Sequence, residues 1–299
     1  MTDAIVQCVP NFSEGRRPDV VDALADTIAQ VARVRVLHIT SDPDHNRSVI
    51  TFAGAPEAVA EAAFRAVRHA AEVIDMRQHR GQHPRMGAAD VVPFVPIAGI
   101  SLEECAAIAR RVGQRVGEEL NLPVYLYEAA ALRPERRNLA DVRRGEYEGL
   151  LENIHREERL PDYGPARVGS AGAVIIGARQ PLIAFNLYLN TDRVEIARQI
   201  AQAVRHSSGG LAGVKALGLL VGGQAQVSLN LVDYEHTPLY RAVELVRLEV
   251  ARYGAVVTHT ELIGLMPLQA ALDALAWYLQ LPQLTKTQVI EHHFSTIVE

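Results

Sequence analysis

The chain has 299 residues, of which 48% are hydrophobic and 22% charged, with 21 Gly and 15 Pro. That is the make-up of an ordinary globular protein of about two domains at roughly 150 residues each, and it excludes a disulfide-stapled miniprotein and an intrinsically disordered chain. A formal charge of −5 gives no global field to attract a polyanion, so nucleic acid is not an expected partner.

In chain order, Ala4 to Val9 reads as a buried strand. The polar turn Asn11-Phe12-Ser13-Glu14-Gly15 then leads into a helix from Pro18 to about Ala32. Val34 to Ile39 is a second strand, and after the turn Ser41-Asp42-Pro43-Asp44 a third runs from Arg47 to Ala53. A helix from about Pro56 to Ala71 and a strand from Asp90 to Pro96 complete a βαββαβ order, the ferredoxin-like pattern. A helix from about Leu102 to Glu119 and a strand from Pro123 to Tyr127 extend it. Leu132 to Gly172 is Arg-rich, then loop-like, and reads as the connection between halves. From Leu182 the order restarts: strand to Leu189, helix Asp192 to His206, strands Val214 to Val221 and Gln226 to Val232, helix Leu239 to Tyr253, strand Ala255 to Thr260. A last helix, Pro267 to Leu281, precedes a polar tail holding His292 and His293, and its Trp277 reads as core packing. The expected fold is therefore α/β (α+β): two similar ferredoxin-like βαββαβ subdomains, residues 1–179 and 180–299, from a duplication, with a ligand channel between them.

Cys8 and Cys105 lie in apolar surroundings with no metal-type spacing, which suits reduced thiols in the cytoplasm. No apolar stretch approaches the ~18 residues of a membrane helix. The first residues lack the basic and apolar regions of a signal peptide, so a cytoplasmic protein with no membrane partner is expected.

The most unusual stretch is His79-Arg80-Gly81-Gln82-His83-Pro84-Arg85-Met86-Gly87-Ala88-Ala89-Asp90. It crowds imidazoles, guanidiniums and a carboxylate into a loop before a buried strand, where functional groups gather on rigid supports. Imidazole suits proton transfer near neutrality, which makes His83 the candidate general acid/base; a loop whose His and Arg side chains only satisfy carbonyls is the alternative. The four-residue spacing of His79 and His83 also fits two metal ligands on one helical face. Gly81 and Pro84 disfavour that helix, so no metal is expected. Asp42-Pro43-Asp44-His45-Asn46-Arg47 has turn chemistry at its start, and His45, Asn46 and Arg47 offer donors to a substrate carboxylate. The Pro10-Asn11-Phe12-Ser13-Glu14 loop adds an amide, a hydroxyl and a carboxylate, or simply starts a helix. Gly164-Pro165 and Gly169 to Gly172 permit close approach of backbone to a flat ligand. Arg133, Arg136, Arg137, Arg143 and Arg144, against Glu135 and Asp141, carry a local charge of about +3 and read as a solvated face.

Cys8-Val9-Pro10-Asn11-Phe12-Ser13-Glu14-Gly15, Asn46-Arg47, Ile74-Asp75-Met76, Gly81 to Asp90, Pro123-Val124-Tyr125-Leu126-Tyr127, Pro161-Asp162, Gly177-Ala178-Arg179 and Leu182-Ile183-Ala184-Phe185-Asn186 together resemble the glutamate formimidoyltransferase family. The likeness runs in order from about Ile5 to Leu279. It implies two paired α/β subdomains, a homodimer, and transfer of the formimino group from N-formimidoyl-L-glutamate to N5 of tetrahydrofolate, a late step of histidine breakdown. The family's catalytic histidine falls on His83 and its folate-contacting segment on Tyr163, Gly164, Pro165, Gly169, Ser170 and Gly172, with tetrahydrofolate as co-substrate. Gln82 stands where many members have Glu, and Thr40 where some have Asp. Bifunctional members carry a following cyclodeaminase domain. Because this chain ends soon after Leu281, a separate cyclodeaminase is expected to act downstream.

That chemistry needs one imidazole to take a proton from N5 and return one to the departing nitrogen. Asp90 or Glu14 would hold the cationic formimino group, and Arg47 or Arg85 would meet the donor's carboxylates, with Asn11, His45 and Asn46 alongside. Two other functions fit the same residues: transfer of a formyl group from N-formylglutamate, and a non-catalytic folate-binding module.

Overall fold

The structure is a computed structural model and describes residues 4–81 and 83–294, with the side chain of Phe294 excepted. Gln82 and the end of the polar tail lie outside the described residues. The chain divides into two compact units, Met1–Gln180 and Pro181–Glu299.

In the first unit the opening strand is broken. Ile5–Cys8 (β1) and Asn11–Phe12 (β2) are separated by Val9 and Pro10, and both pair with the same two neighbours. Pro10 has no N–H to give the ladder, which suits a break there. Asn11 and Phe12, expected in the turn, are thus sheet residues. Helix α1 (Pro18–Ala29) begins on proline and stops three residues short of Ala32; the chain turns at Arg33, whose φ is 66°. Strand β3 (Val34–Asp42) runs past Ile39 because it stays paired with β4 (Arg47–Gly54) down to Asp42↔Arg47. Helix α2 (Pro56–Val73), strand β5 (Ala89–Ala98), helix α3 (Leu102–Leu120) and strand β6 (Val124–Glu128) follow close to expectation. A capping box starts α3: Ser101 Oγ accepts from the Glu104 N–H, and the Glu104 carboxylate accepts from the Ser101 N–H.

The segment expected to be a connection holds two short helices, α4 (Leu139–Val142) and α5 (Glu146–Asn153), and ends in a strand the sequence reading missed, β7 (Val174–Ala178). The sheet order is β3-β4-β1/β2-β5-β7-β6, antiparallel up to β5 and parallel from β5 through β7 to β6. Phe12, Phe52, Phe64 and Phe94 fill the core under α1–α3. On the other face, Tyr125, Tyr127, Val91 and Ile175 are covered by Val142, Leu150 and Ile154 of the insert.

The second unit repeats the pattern: β8 (Ile183–Leu189), α6 (Val194–Val204), β9 (Val214–Val221), β10 (Gln224–Leu231), α7 (Leu239–Ala251) and β11 (Val257–Ile263). Its sheet order, β11-β8-β10-β9, matches β5-β1-β4-β3 element for element, so the ferredoxin-like arrangement occurs twice. Helix α8 (Leu268–Leu279) buries only Ala270 and Leu272. Trp277 is not core, being 55% exposed and stacked on Tyr240 at 4.6 Å. A 3-10 turn and a short helix, α9 (Ile290–Phe294), occupy the described part of the tail. No helix among the described residues is long and apolar enough to cross a membrane.

Candidate active site

One end of the first sheet collects the chemistry: the end of β2, the β3–β4 turn and the loop entering β5. Asn46 joins all three. Its Oδ1 accepts from the Gly15 N–H at 3.0 Å and its Nδ2 donates to the Arg80 carbonyl at 3.1 Å. Its φ of 48° lies in the left-handed region that Asn tolerates. The fit is close enough that a Cβ on Gly81 would meet the His45 carbonyl oxygen at 2.2 Å.

His79 locks the same contact. A carbonyl can only accept, so Nε2–H donates to the Asn46 oxygen at 2.9 Å, and Nδ1 accepts from Arg85 Nε at 3.3 Å. Both ring nitrogens are therefore committed to protein, which removes His79 as a metal ligand. Among the described residues no group of three His, Cys, Asp or Glu side chains could hold a metal ion.

His83 is half-buried. Its Nδ1 lies 2.7 Å from the Pro84 carbonyl oxygen, so Nδ1 carries the hydrogen and Nε2 keeps its lone pair. Burial, then the cations of Arg47 and Arg143, push this imidazole down to about 3, against the Pro84 carbonyl, which raises it. It is neutral at physiological pH. His45 stands edge-on to it, ring centroids 6.1 Å apart, and is itself held by Asp42 at 2.5 Å.

The charged groups predicted around His83 divide by what they already bind. Burial, then the neighbouring Arg143 cation, lowers the Arg47 guanidinium to about 10; Asp90 and Asp42 act the other way. Its buried Nε has no hydrogen-bond partner among the described residues. Arg85, by contrast, is taken up by Glu146 at 2.7 Å and Glu148 at 2.6 Å, so it ties helix α5 to the loop. Glu14 turns its carboxylate onto its own chain, accepting from the N–H groups of Arg16 and Arg17 and from Arg17 Nε. Burial raises it, but those donors outweigh burial and hold it below the usual carboxylate range. Asn11 Nδ2 donates to the Val9 carbonyl at 2.7 Å.

Asp90 is 2% exposed, accepts from the Met86 N–H at 2.8 Å, and pairs with Arg143 at 2.5 Å. Arg143 was read in the sequence as part of a solvated face. The burial of Arg136, paired with Asp162 at 2.6 Å, corrects the same reading. No local signal would have found Arg143, because its partner lies 53 residues away in sequence.

The glycine-rich segment separates into two places. Ser170, Ala171 and Ala173 exchange backbone hydrogen bonds with Met76, Ala88 and Met86, so residues 170–173 brace the His83 loop. Gly172, at φ 72°, is required there, since a Cβ would meet the Met86 carbonyl at 2.3 Å. Tyr163 pairs with Val124 at the outer edge of β6, with Gly164 and Pro165 following it. That edge is three strand spacings from β5, roughly 14 Å. The Pro161-Asp162 motif is structural: Asp162 accepts from the Leu126 N–H at 2.8 Å and faces Arg136.

With this geometry in place, comparison with known proteins is specific. The chain is 50% identical over 292 residues to glutamate formimidoyltransferase of Thermoplasma acidophilum, covering 96% of each. It is 45% identical to glutamate formimidoyltransferase of Streptococcus pyogenes, covering 97% of this chain and 98% of that one. The formimidoyltransferase-cyclodeaminase of Rattus norvegicus is 45% identical over 92% of this chain, which spans 52% of the rat protein. Residues 5–179 match the formiminotransferase domain N-terminal subdomain and residues 184–297 the formiminotransferase domain. The chain belongs to the formiminotransferase family.

Proposed function

We propose that this chain transfers the formimino group from N-formimidoyl-L-glutamate to N5 of tetrahydrofolate, with His83 as the proton carrier. The observation that carries the reading is the state of His83: a neutral imidazole whose Nδ1–H is held by the Pro84 carbonyl and whose Nε2 keeps its lone pair, beside the Arg47 guanidinium. N5 attacks the amidine carbon and forms a C–N bond. His83 Nε2 takes the N5 proton and delivers it to the glutamate nitrogen as the old C–N bond breaks, so free glutamate leaves and the imidazole returns to its starting state. Arg47 meets a donor carboxylate. Asp90, already paired with Arg143, tempers the local positive charge and favours the cationic formimino group over a wholly basic pocket.

The same reading assigns residues 1–179 and 180–299 as the two subdomains and residues 163–172 as the folate-contacting segment. Support for the last comes from residues 170–173, stitched to the His83 loop. The reading also makes the protein a cytoplasmic homodimer acting late in histidine breakdown, with a downstream cyclodeaminase activity releasing ammonia from its product. The rat relative's name joins those two activities. Sedimentation at twice the chain mass tests the dimer.

The central test is His83→Ala, assayed for glutamate release with the formimino and formyl donors side by side. The native protein should use the formimino donor in preference. The variant should lose about 10²- to 10⁴-fold in kcat while still binding tetrahydrofolate. Near-normal turnover in the variant, or no release of glutamate by the native protein from either donor, overturns the proposal.

A further inference from the structure

We propose that Arg143, carried by the helical insert, joins Arg47 in forming the subsite that binds a carboxylate of the glutamyl donor, so that an element outside the ferredoxin-like pattern sets donor specificity. This rests on the function proposed above and adds to it a residue and a ligand group.

The geometry comes first. Arg143 follows α4 directly and its side chain is 13% exposed, with Nη2 on Asp90 at 2.5 Å. Its Nε is buried and unpartnered among the described residues, and so is the Nε of Arg47. The Arg143 guanidinium is close enough to disfavour the charge of Arg47, and both act on His83. Two buried N–H donors left without a partner are costly unless an oxygen supplies the missing acceptor. One carboxylate in the local inventory, Asp90, already takes Arg143 Nη2 and the Met86 N–H. Asp42, which also acts on Arg47, is held by His45, and a ligand carboxylate supplies the missing acceptors and further negative charge.

The other charged groups around His83 do not fill this role. His45 is held by Asp42 on the β3–β4 turn, and Arg85 and His79 on its own loop are engaged with Glu146, Glu148 and the Asn46 carbonyl. Glu14 binds its own backbone. A donor carboxylate placed between Arg47 and Arg143 would also offset the two cations that suppress the His83 imidazole, so donor binding would make the base stronger where it is needed.

Arg143→Met leaves Asp90 buried without its partner and risks misfolding, so the deciding variant is the double substitution Arg143→Met with Asp90→Asn. It removes one charge of each sign and keeps an oxygen for the Met86 N–H. The expected result is a donor KM about tenfold or more above that of Asp90→Asn alone, about the loss of one charge-assisted contact, with the KM for tetrahydrofolate unchanged. A donor KM restored to the native value in the double variant would show that Arg143 serves only to neutralise Asp90, and would overturn the proposal. Calorimetric binding of L-glutamate to the native and double-variant proteins gives an answer independent of turnover. Weaker binding by the variant supports the subsite and equal binding overturns it, whether or not the native protein proves to be a formimidoyltransferase.

Discussion

Two histidines in the loop before β5 are held against protonation by the fold. Burial lowers both His79 and His83 below the ordinary 6.5, with Arg85 acting further on the first and Arg47 and Arg143 on the second. The unfolded chain takes up a proton at each near the ordinary value. Between that value and the folded one, the unfolded state therefore binds protons that the native state refuses, and stability falls as the pH drops. For His83 the window opens at 6.5 and reaches down to about 3; above 6.5 its contribution is fully present. Urea midpoints of His83→Asn should accordingly fall less between about pH 7 and about pH 4 than those of the native protein; identical losses would show that His83 is not held neutral. The same depression places the acid limb of kcat/KM below pH 6.5. His83, Arg47 and Asn46 were legible in the sequence because reactive residue types crowd short loops there. The partners of Arg85 were not legible, since nothing near it in sequence shows that Glu146 and Glu148, more than sixty residues on, would claim its guanidinium.

The insert between β6 and β7 is where sequence reading gave least. Its helices are short and rich in charge, so periodicity is weak, and Val174–Ala178 is a brief apolar run whose place between β5 and β6 follows only from long-range parallel pairing. Two ion pairs fasten this element at its two ends, with different consequences. Arg143–Asp90 lies beside His83, whereas Arg136–Asp162 lies under the outer strand, with side chains 4% and 3% exposed. Asp162 also accepts from the Leu126 N–H, and Arg136 donates to the Leu160 carbonyl and lies 4.9 Å over the Tyr125 ring. Removing one partner from such a pair strands the other charge in the interior. Asp162→Ala should therefore lose about 3–5 kcal/mol of stability in denaturant titration. Protein that remains folded should keep its donor KM, in contrast to the Arg143 variants. A change in donor KM with little change in stability would mean that the two ion pairs had been assigned to the wrong roles.

The repeated strand order implies that each unit is a complete folding pattern, and the second unit is the cleaner test. Among the described residues its four strands pair only with one another, its core from Ile183 to Ala270 is built from its own elements, and no strand is borrowed from residues before 181. A layer of helices on one face of such a sheet is sufficient for an independent core at this size. The duplication could be read from the sequence because alternating strands and amphipathic helices recur in the same order, even where the halves share few residues. Exposed apolar side chains on α7 and α8 such as Leu248, Leu268, Leu275 and Trp277 were not readable, since a 3.6-residue apolar stripe looks the same whether a partner covers it or not. Residues 181–299 expressed alone should therefore melt cooperatively with the far-ultraviolet signature of a mixed α/β fold. They should show no formimidoyl transfer, because His83, Arg47 and Arg143 all belong to the first unit. Failure to show a cooperative transition would mean that the second sheet depends on the first for its stability, and that the repeated topology does not confer independent folding. A cooperative transition whose midpoint rises with protein concentration would place self-association on this unit and locate the proposed dimer contact there.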